Sequence, residues 1–513
     1  MNFLAFDLGG GSGKLTLGTY ENGELTFTKI HQFANTIISE GESLYWDIPR
    51  ALRELEIGVK KAVSLTADKI NGIGFDSFCN DFAIIRYAGA DDAPLCAAGS
   101  AAEQILCKLS AAPDLASPVH SYRDARTIRT QQGFDKVMSP RERYMINGNQ
   151  NAPFNTLNHL YAMSIESPED FGEDRFIFVS DYFIYAITGK EVLEYTTASV
   201  TQMYDYTAER WSEEILTSYG ISEKMFPPIT APGTLVGLTD AAFNERVGSA
   251  RGIPVYTVCQ HDTASAFLGS IGGPDTAIIS TGTWCLVGCE ANAPVISEYG
   301  FARNIANEGG YGGPYGGHHR ILKNVMGTWI LQEIVREANE AESESATAAP
   351  CAKLEPGTAL TFENLEAQAQ EFAAQAQELA ESATPLTIDV DEPQFYEPGD
   401  MLRKVVAAYK KRYGKAPKSL GQVAYIIYAS LAEKYAQAID ELETLTGKKF
   451  TQINMIGGGI KSRIMRELTE QASGRRVILG PEDATSIGNI LVQMHAAGAI
   501  SSIDEGRRLV SHI

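Results

Sequence analysis

The sequence predicts an α/β protein of two related domains. Two segments with one pattern carry that reading. Phe3 to Tyr20 runs FLAFDLGGGSGKLTLGTY, and Ala277 to Glu290 runs AIISTGTWCLVGCE. Each is an apolar strand, a Gly/Ser/Thr turn and a second, alternating strand. The third observation is length: 513 residues exceed what one core ordinarily encloses, so two domains are expected. The boundary is placed where strand character resumes at RGIPVYTV, giving 1–248 and 249–513.

The elements follow in order. Asn2–Asp7, Lys14–Tyr20 and Glu24–Phe33 read as a β-meander. Trp46–Ser64 reads as a helix, with Ile48, Leu52, Leu55, Val59 and Val63 on one face. IGFDSFCNDFAIIRY holds two strands joined around Asp76 to Asp81. Residues 91–121 are rich in Ala, Ser and Pro and read as a surface excursion. Residues 122–248 are expected to be mainly helical, from PFNTLNHLYAM, SDYFIYAITG and ERWSEEILTSYG. Strand character returns around Tyr256, followed by a helix after His261 and then the second hairpin. Residues 337–384 are rich in Ala, Glu and Gln; Leu365, Phe372 and Leu379 recur every seven residues, which fits a partly exposed amphipathic helix. Gly421–Thr446 is a helix with Ile427, Leu431, Tyr435, Ile439 and Leu442 on one face. INMIGGGIKSRIMRELTEQASG reads as strand, three glycines, helix. RRVILG is a strand, and PEDATSIGNILVQMHAAGAI a closing helix.

Charge narrows the partners. The net charge is −21, from 64 acidic and 43 basic residues. That argues against nucleic acid and anionic membrane, which attract basic surfaces. Its plain consequence is solubility. The seven cysteines (Cys79, Cys96, Cys107, Cys259, Cys285, Cys289 and Cys351) include no CxxC pair. A reducing, cytoplasmic setting without a structural metal is expected. Asp7 interrupts the first apolar run, so no signal peptide is expected. No stretch approaches the roughly 20 apolar residues of a membrane span.

Gly9–Lys14 contains a Gly-Lys pair, so a P-loop has to be tested. GxxxxGK[ST] requires glycine and a hydroxyl where the chain has Leu8 and Leu15. The Rossmann pattern fails because Lys14 occupies the third glycine position, and KLTLGTY alternates as a strand where both motifs need a helix. What remains is a β-turn rich in N–H donors, which suits phosphate oxygens. Asp7 ends the incoming strand, where a carboxylate could hold Mg²⁺ through water. Ser280 to Thr283 form a second such turn, and Gly457 to Gly459 offer an unobstructed approach for an anion. All three also read as ordinary tight turns. Asp262, at the start of a helix, reads as a helix cap or as a base that accepts the proton of an attacking hydroxyl. His261 reads as a contact to a substrate oxygen or as a core residue. Asp76, Asn80, Asp81, Arg123, Asp124, Arg126 and Asn155 would suit a polyhydroxylated ligand, which needs many directional hydrogen bonds.

These pieces resemble a known family. DLGGGSGK, YRDART, PFNTL, SDYFIYAITGK, EYTTAS, HDTASAF, STGTW, NEGG, LKNVMGTWILQ, GGG and EDATSIGN occur in the order seen in FGGY carbohydrate kinases. The likeness runs from about Asn2 to Gly498 and is weakest over 91–120 and 337–395. It implies two RNase H-like domains of the actin/hexokinase/Hsp70 superfamily, each with a mixed five-stranded sheet, and a catalytic cleft that closes on substrate. It implies an N-terminal sugar-binding domain and a C-terminal nucleotide-binding domain. Asp262 then matches the catalytic base. Gly10, Gly11, Ser12, Gly13 and Lys14 match the first phosphate loop, with Asp7 near Mg²⁺. Thr283, Gln332, Gly458 and Gly459 match ATP contacts. Asp76, Cys79, His261 and Asn324 match the sugar side. The implied reaction is Mg·ATP-dependent phosphorylation of a ketose at its primary hydroxyl. L-rhamnulose is the first choice, with L-fuculose, L-ribulose and D-xylulose as alternatives. A non-catalytic actin-like clamp or sugar sensor is the reading from another class. A monomer or homodimer is expected.

One departure bears on the sugar. Family members that act on L-rhamnulose carry a Trp-Gly-Val-Asp-Phe run, where this chain has Phe78, Cys79, Asn80, Asp81 and Phe82. The added thiol and amide change the pocket's shape and polarity. The PYGGHH loop around Gly316 to His319 also reads as longer than usual.

Overall fold

The computed structural model describes residues 1–85, 114–166, 175–313, 318–340, 359–378 and 387–510. Most of the 91–121 excursion, Leu379, and Pro314 to Gly317 of the PYGGHH loop lie outside the described residues. The chain divides into two compact units. The first comprises Met1–Ile271, Glu290–Ile321 and Asp483–Ile513, and the second Gly272–Cys289 and Leu322–Glu482.

In the first unit the chain opens with three strands, β1 (Asn2–Leu8), β2 (Ser12–Glu21) and β3 (Glu24–Ala34), as the alternation predicts. Helix α1 (Ile48–Leu65) follows. Asp47 caps it by accepting the Arg50 N–H at 3.0 Å, and Pro49 fits the first turn, where its missing N–H has no helical partner to lose. Strands β4 (Gly72–Ser77), β5 (Leu235–Leu238) and β6 (Pro254–Tyr256) complete a six-stranded sheet in the order β5–β6–β4–β1–β2–β3. β1 is antiparallel to β2 and parallel to β4. Val255 of β6 pairs with Ile73 of β4, so this stretch is built into the first sheet although it follows the expected 248/249 boundary. Helix α2 (Asp262–Leu268) comes next.

β1 is buried on both faces, as a central parallel strand should be. Leu4, Phe6 and Leu8 join Trp46, Leu55 and Phe75 in one core. Phe3 and Ala5 face Ile490, Leu491 and Met494 in another.

In the second unit β7 (Thr276–Thr281) and β8 (Trp284–Ala291) form the second hairpin, antiparallel as expected. Downstream lie β9 (Ala306–Gly309), which is counted with the first unit, β10 (His319–Met326), helix α3 (Leu420–Thr446), β11 (Gln452–Gly457), helix α4 (Arg463–Ser473) and β12 (Arg476–Leu479). β11 is parallel to β7, and β12 is parallel to β11. The order β10–β8–β7–β11–β12 repeats β3–β2–β1–β4–β6 of the first unit. The five strands expected in each copy are therefore present, but each sheet has six, with β5 added on the edge of the first and β9 on the edge of the second. Cys285 and Cys289 share one buried face of β8, as their spacing predicts, and neither forms a disulfide.

Helix α5 (Ala484–Ala496) returns to the first unit and crosses α2 at backbone contact. A Cβ at Gly488 would lie 1.9 Å from the Ser265 carbonyl oxygen, and one at Gly269 2.2 Å from that of Ala484. Among the described residues no helix is long and apolar enough to cross a membrane.

Candidate active site

Register places the first charged row. Asp7, near the end of β1, stands opposite Lys14 of β2 on one side and Asp76 of β4 on the other. The Lys14 ammonium lies 3.1 Å from Asp7 and 2.7 Å from Asp483. Burial alone would lower its pKa; the two carboxylates overcome this and raise it, so Lys14 is a permanent cation. Asp76 is buried, and Asn489 of α5 donates to its Oδ2 at 2.5 Å. Its Oδ1 has no partner. Burial and the charge of Asp7 push Asp76 well above the usual carboxylate range.

Asp262 is the first residue of α2, and its side chain is one-third exposed. Its Oδ1 accepts the Thr263 N–H at 2.6 Å and the Thr263 hydroxyl at 3.3 Å. Burial, then the nearby Asp7, raise it to about 7, against the lowering by those hydrogen bonds. His261 precedes it, 4% exposed. Its Nε2 is 3.5 Å from Asp262 Oδ1. Arg320 of β10 donates to its Nδ1 at 3.2 Å and lies 2.9 Å from Glu308 of β9. Burial and then Arg320 hold the imidazole well below its ordinary pKa, so it is neutral at pH 7.

A second polar tier holds this loop. The Glu194 carboxylate accepts the Thr196 hydroxyl at 2.6 Å and the N–H groups of Thr197 and Gln260 at 3.2 Å. Thr196 in turn accepts the His261 N–H at 3.2 Å. Gln260 donates to Asp181 at 2.6 Å.

Cys79 belongs to the same neighbourhood. Burial and then the charges of Glu308 and Asp262 push its thiol well above the ordinary value, so it is neutral. Phe78 stacks on Trp46 with centroids 4.5 Å apart. Asp81 accepts the Trp46 indole N–H at 2.6 Å and the Tyr122 N–H at 2.9 Å, so it braces this wall and faces away from solvent.

The first glycine turn is closed by its own carbonyls. The Gly9 N–H donates to Ser12 O at 2.9 Å, and Asn35 donates to the carbonyls of Gly11 at 3.2 Å and Gly9 at 2.9 Å. Tyr122 packs over Gly10, where a Cβ would meet its hydroxyl at 2.6 Å. Phe33 covers Gly13 in the same way, while Gly11 and Ser12 stay exposed.

In the second unit the Thr283 hydroxyl donates to Gln332 at 3.2 Å. Thr281 donates to the Ile456 carbonyl at 2.6 Å and accepts the Gly459 N–H at 3.0 Å. The three glycines do not lead directly into an α-helix as the sequence implied. Gly457 has φ +84°, a 3-10 turn spans Gly458–Lys461, and α4 begins only after Ser462, which caps it through the Met465 N–H at 3.3 Å. The glycines thus form a turn laid against Thr281, with Gly458 open to solvent on its Cβ side.

Asp7, Lys14, Asp76, Cys79, His261 and Asp262 are therefore together in the first unit, and Thr283, Gln332, Gly458 and Gly459 belong to the second. Asn324 lies on β10 in the part counted with the second unit, four residues beyond Arg320. Arg320, Glu308, Asp483, Asn489 and Tyr122 were not singled out from the sequence. All but Arg320 lie inside motifs recognised there: NEGG, EDATSIGN and YRDART. Among the described residues no group of three or more His, Cys, Asp or Glu is arranged to hold a metal alone.

Models of two domains match the chain: the C-terminal domain of the FGGY family of carbohydrate kinases over residues 277–497 and the N-terminal domain over residues 112–269. A rhamnulokinase of Halalkalibacterium halodurans is 30% identical over 512 residues, covering 99% of this chain and 97% of that one. A rhamnulokinase of Enterococcus faecalis is 32% identical over 514 residues, with 99% and 92% covered. Among solved structures, a ligand-bound xylulose kinase from Lactobacillus acidophilus superposes with a TM-score of 0.75 at 15% identity, over 99% of this chain and 92% of that one. A Plasmodium falciparum glycerol kinase with ADP gives 0.73 at 13% identity, with the same coverage. The chain belongs to the FGGY family of carbohydrate kinases. Its two-domain actin/hexokinase-like fold and its class, a sugar kinase that uses ATP, follow from that membership.

Proposed function

We propose that this kinase phosphorylates L-rhamnulose at O1, giving L-rhamnulose 1-phosphate. The observation that carries the chemistry is Asp262, a carboxylate at the start of a helix, one-third exposed, with its pKa near 7. A base is most useful when its pKa lies close to the working pH. Asp262 takes the proton of the sugar hydroxyl as that oxygen attacks the γ-phosphorus, and ADP departs. Asp76, Cys79, His261 and Asn324 hold the sugar. The turns at Gly10–Gly13, Thr283 and Gly458–Gly459, with Lys14 and Gln332, hold the nucleotide.

Asp7 fits a Mg²⁺ that arrives with the nucleotide. The Asp7 charge raises Asp262 and Asp76 while Lys14 is the nearby cation, so the row carries surplus negative charge. Such sites use few carboxylates and keep the metal's waters. Bound there, Mg²⁺ would offset charge on the phosphate oxygens. The choice of sugar is supported by the rhamnulokinases that resemble this chain over their length.

Cys79 and Asn80 favour a second reading, another ketose such as L-fuculose, L-ribulose or D-xylulose, because they replace Gly and Val beside the sugar. A ketose panel in an ADP-release assay decides. L-rhamnulose should exceed each alternative by about tenfold or more in kcat/KM, a margin a few pocket contacts can supply. A higher value for another ketose replaces the assignment.

A further inference from the structure

Arg320 occupies an unusual position for a cation. It is 2% exposed. Its Nε donates to the Gly309 carbonyl at 3.1 Å, and one terminal nitrogen donates to His261 Nδ1 at 3.2 Å while lying 2.9 Å from Glu308 Oε2 as an ion pair. A guanidinium has donors only and does not deprotonate in a protein. The His261 nitrogen that faces it must therefore be an acceptor. An imidazole whose Nδ1 accepts carries its proton on Nε2, here the nitrogen 3.5 Å from Asp262 Oδ1. The competing arrangement has Nδ1 donating to Glu308 Oε2, 3.4 Å away. It would set an N–H against the guanidinium's own N–H groups.

We propose that Arg320 is a positioning residue that fixes the His261 tautomer, so that Nε2–H points toward Asp262 and a bound hydroxyl. Glu308 keeps the guanidinium in place, and β9 and β10 carry the pair. The Thr196 hydroxyl fixes the backbone of His261 independently at 3.2 Å, so the side-chain proton is the variable that Arg320 controls. The effect on turnover rests on the kinase reading above; the tautomer does not.

The test is nitrogen-15 NMR of the full-length protein labelled at histidine. His261→Gln identifies the His261 signals by their loss. The wild type should show a protonated Nε2 and an unprotonated Nδ1 at His261. The double variant Arg320→Met/Glu308→Gln, which removes both buried charges together, should show mixed protonation. Its kcat for the ketose should fall about a hundredfold, the loss expected when a reacting group is misplaced, with KM for ATP unchanged. A wild-type His261 protonated at Nδ1 overturns the proposal, even if the double variant cannot be purified. A double variant that keeps the wild-type tautomer and turnover also overturns it. A wild type that phosphorylates no ketose but shows the expected tautomer removes the kinase reading and leaves the Arg320–His261 relationship standing.

Discussion

Asp7 and Asp76 stand opposite each other on neighbouring parallel strands, and Asn489 reaches across from another helix to hold Asp76 at 2.5 Å. Two buried carboxylates side by side do not both ionise readily, and burial and then the Asp7 charge hold Asp76 well above the usual carboxylate range, which favours its neutral form. Asp76→Asn should therefore keep close to wild-type stability, because it preserves a neutral acceptor for Asn489. Asp76→Ala leaves that amide buried without a partner and should cost about 1–3 kcal/mol. Urea unfolding of the two variants checks this. Equal losses would mean that Asp76 is an anion.

Asp262→Asn should lower kcat by about 10²–10⁴-fold, the usual range for a general base, with nucleotide binding intact. In the wild type, kcat/KM should rise with pH and level off above about 7, because the base must be ionised. The effect on stability has the opposite sign. The folded protein holds this proton to higher pH than the unfolded chain, whose carboxyl has the ordinary value of 3.8. Its contribution therefore declines as pH rises from about 4 through about 7. The Asn variant should melt higher than wild type at pH 8 and about equally at pH 4. Near-normal turnover would remove Asp262 from the chemistry.

The two glycines of the second unit assigned to the nucleotide, Gly458 and Gly459, should separate in experiment. A Cβ at Gly459 would lie 2.7 Å from Thr281 Cβ, whereas one at Gly458 meets nothing within 4 Å. Gly459→Ala should lower both the melting temperature and ATP affinity. Gly458→Ala should melt like wild type and yet bind ATP about tenfold more weakly, equivalent to 1.4 kcal/mol. Calorimetric titration beside thermal melting distinguishes them. Unchanged affinity in Gly458→Ala would place the nucleotide elsewhere.

Glu194 should be indispensable although it touches no ligand. It is fully buried and supports Thr196, Thr197 and Gln260 beneath His261. Glu194→Ala strands those donors and should cost at least about 2 kcal/mol. Denaturant titration measures it. A loss below half that value would show that water takes over the role.

Much of this was legible in the sequence because hairpins and capped helices leave local marks. Both glycine hairpins, α1 and α3 fall where period and turn chemistry put them. The place of Asp262 at the start of a helix was legible because strand and helix patterns meet there. Arg320 and Glu308 were not, because nothing local ties His261 to a strand that begins at His319. The same holds for Asp181, Glu194 and Gln260, which lie 79 and 66 residues from their partners in the network. The triple glycine misled for a physical reason. Ser462 is the better cap, so the helix waits for it and the glycines spend their freedom on a tight turn against Thr281.

The seam between α2 and α5 has an evolutionary consequence. At Gly269 and Gly488 main chain lies on main chain, and even a methyl group would force the helix that bears Asp262 away from its neighbour. Random mutagenesis aimed at a new sugar preference should leave both positions untouched. Productive changes should gather instead around Phe78 to Asn80, where side chains rather than backbones set the shape.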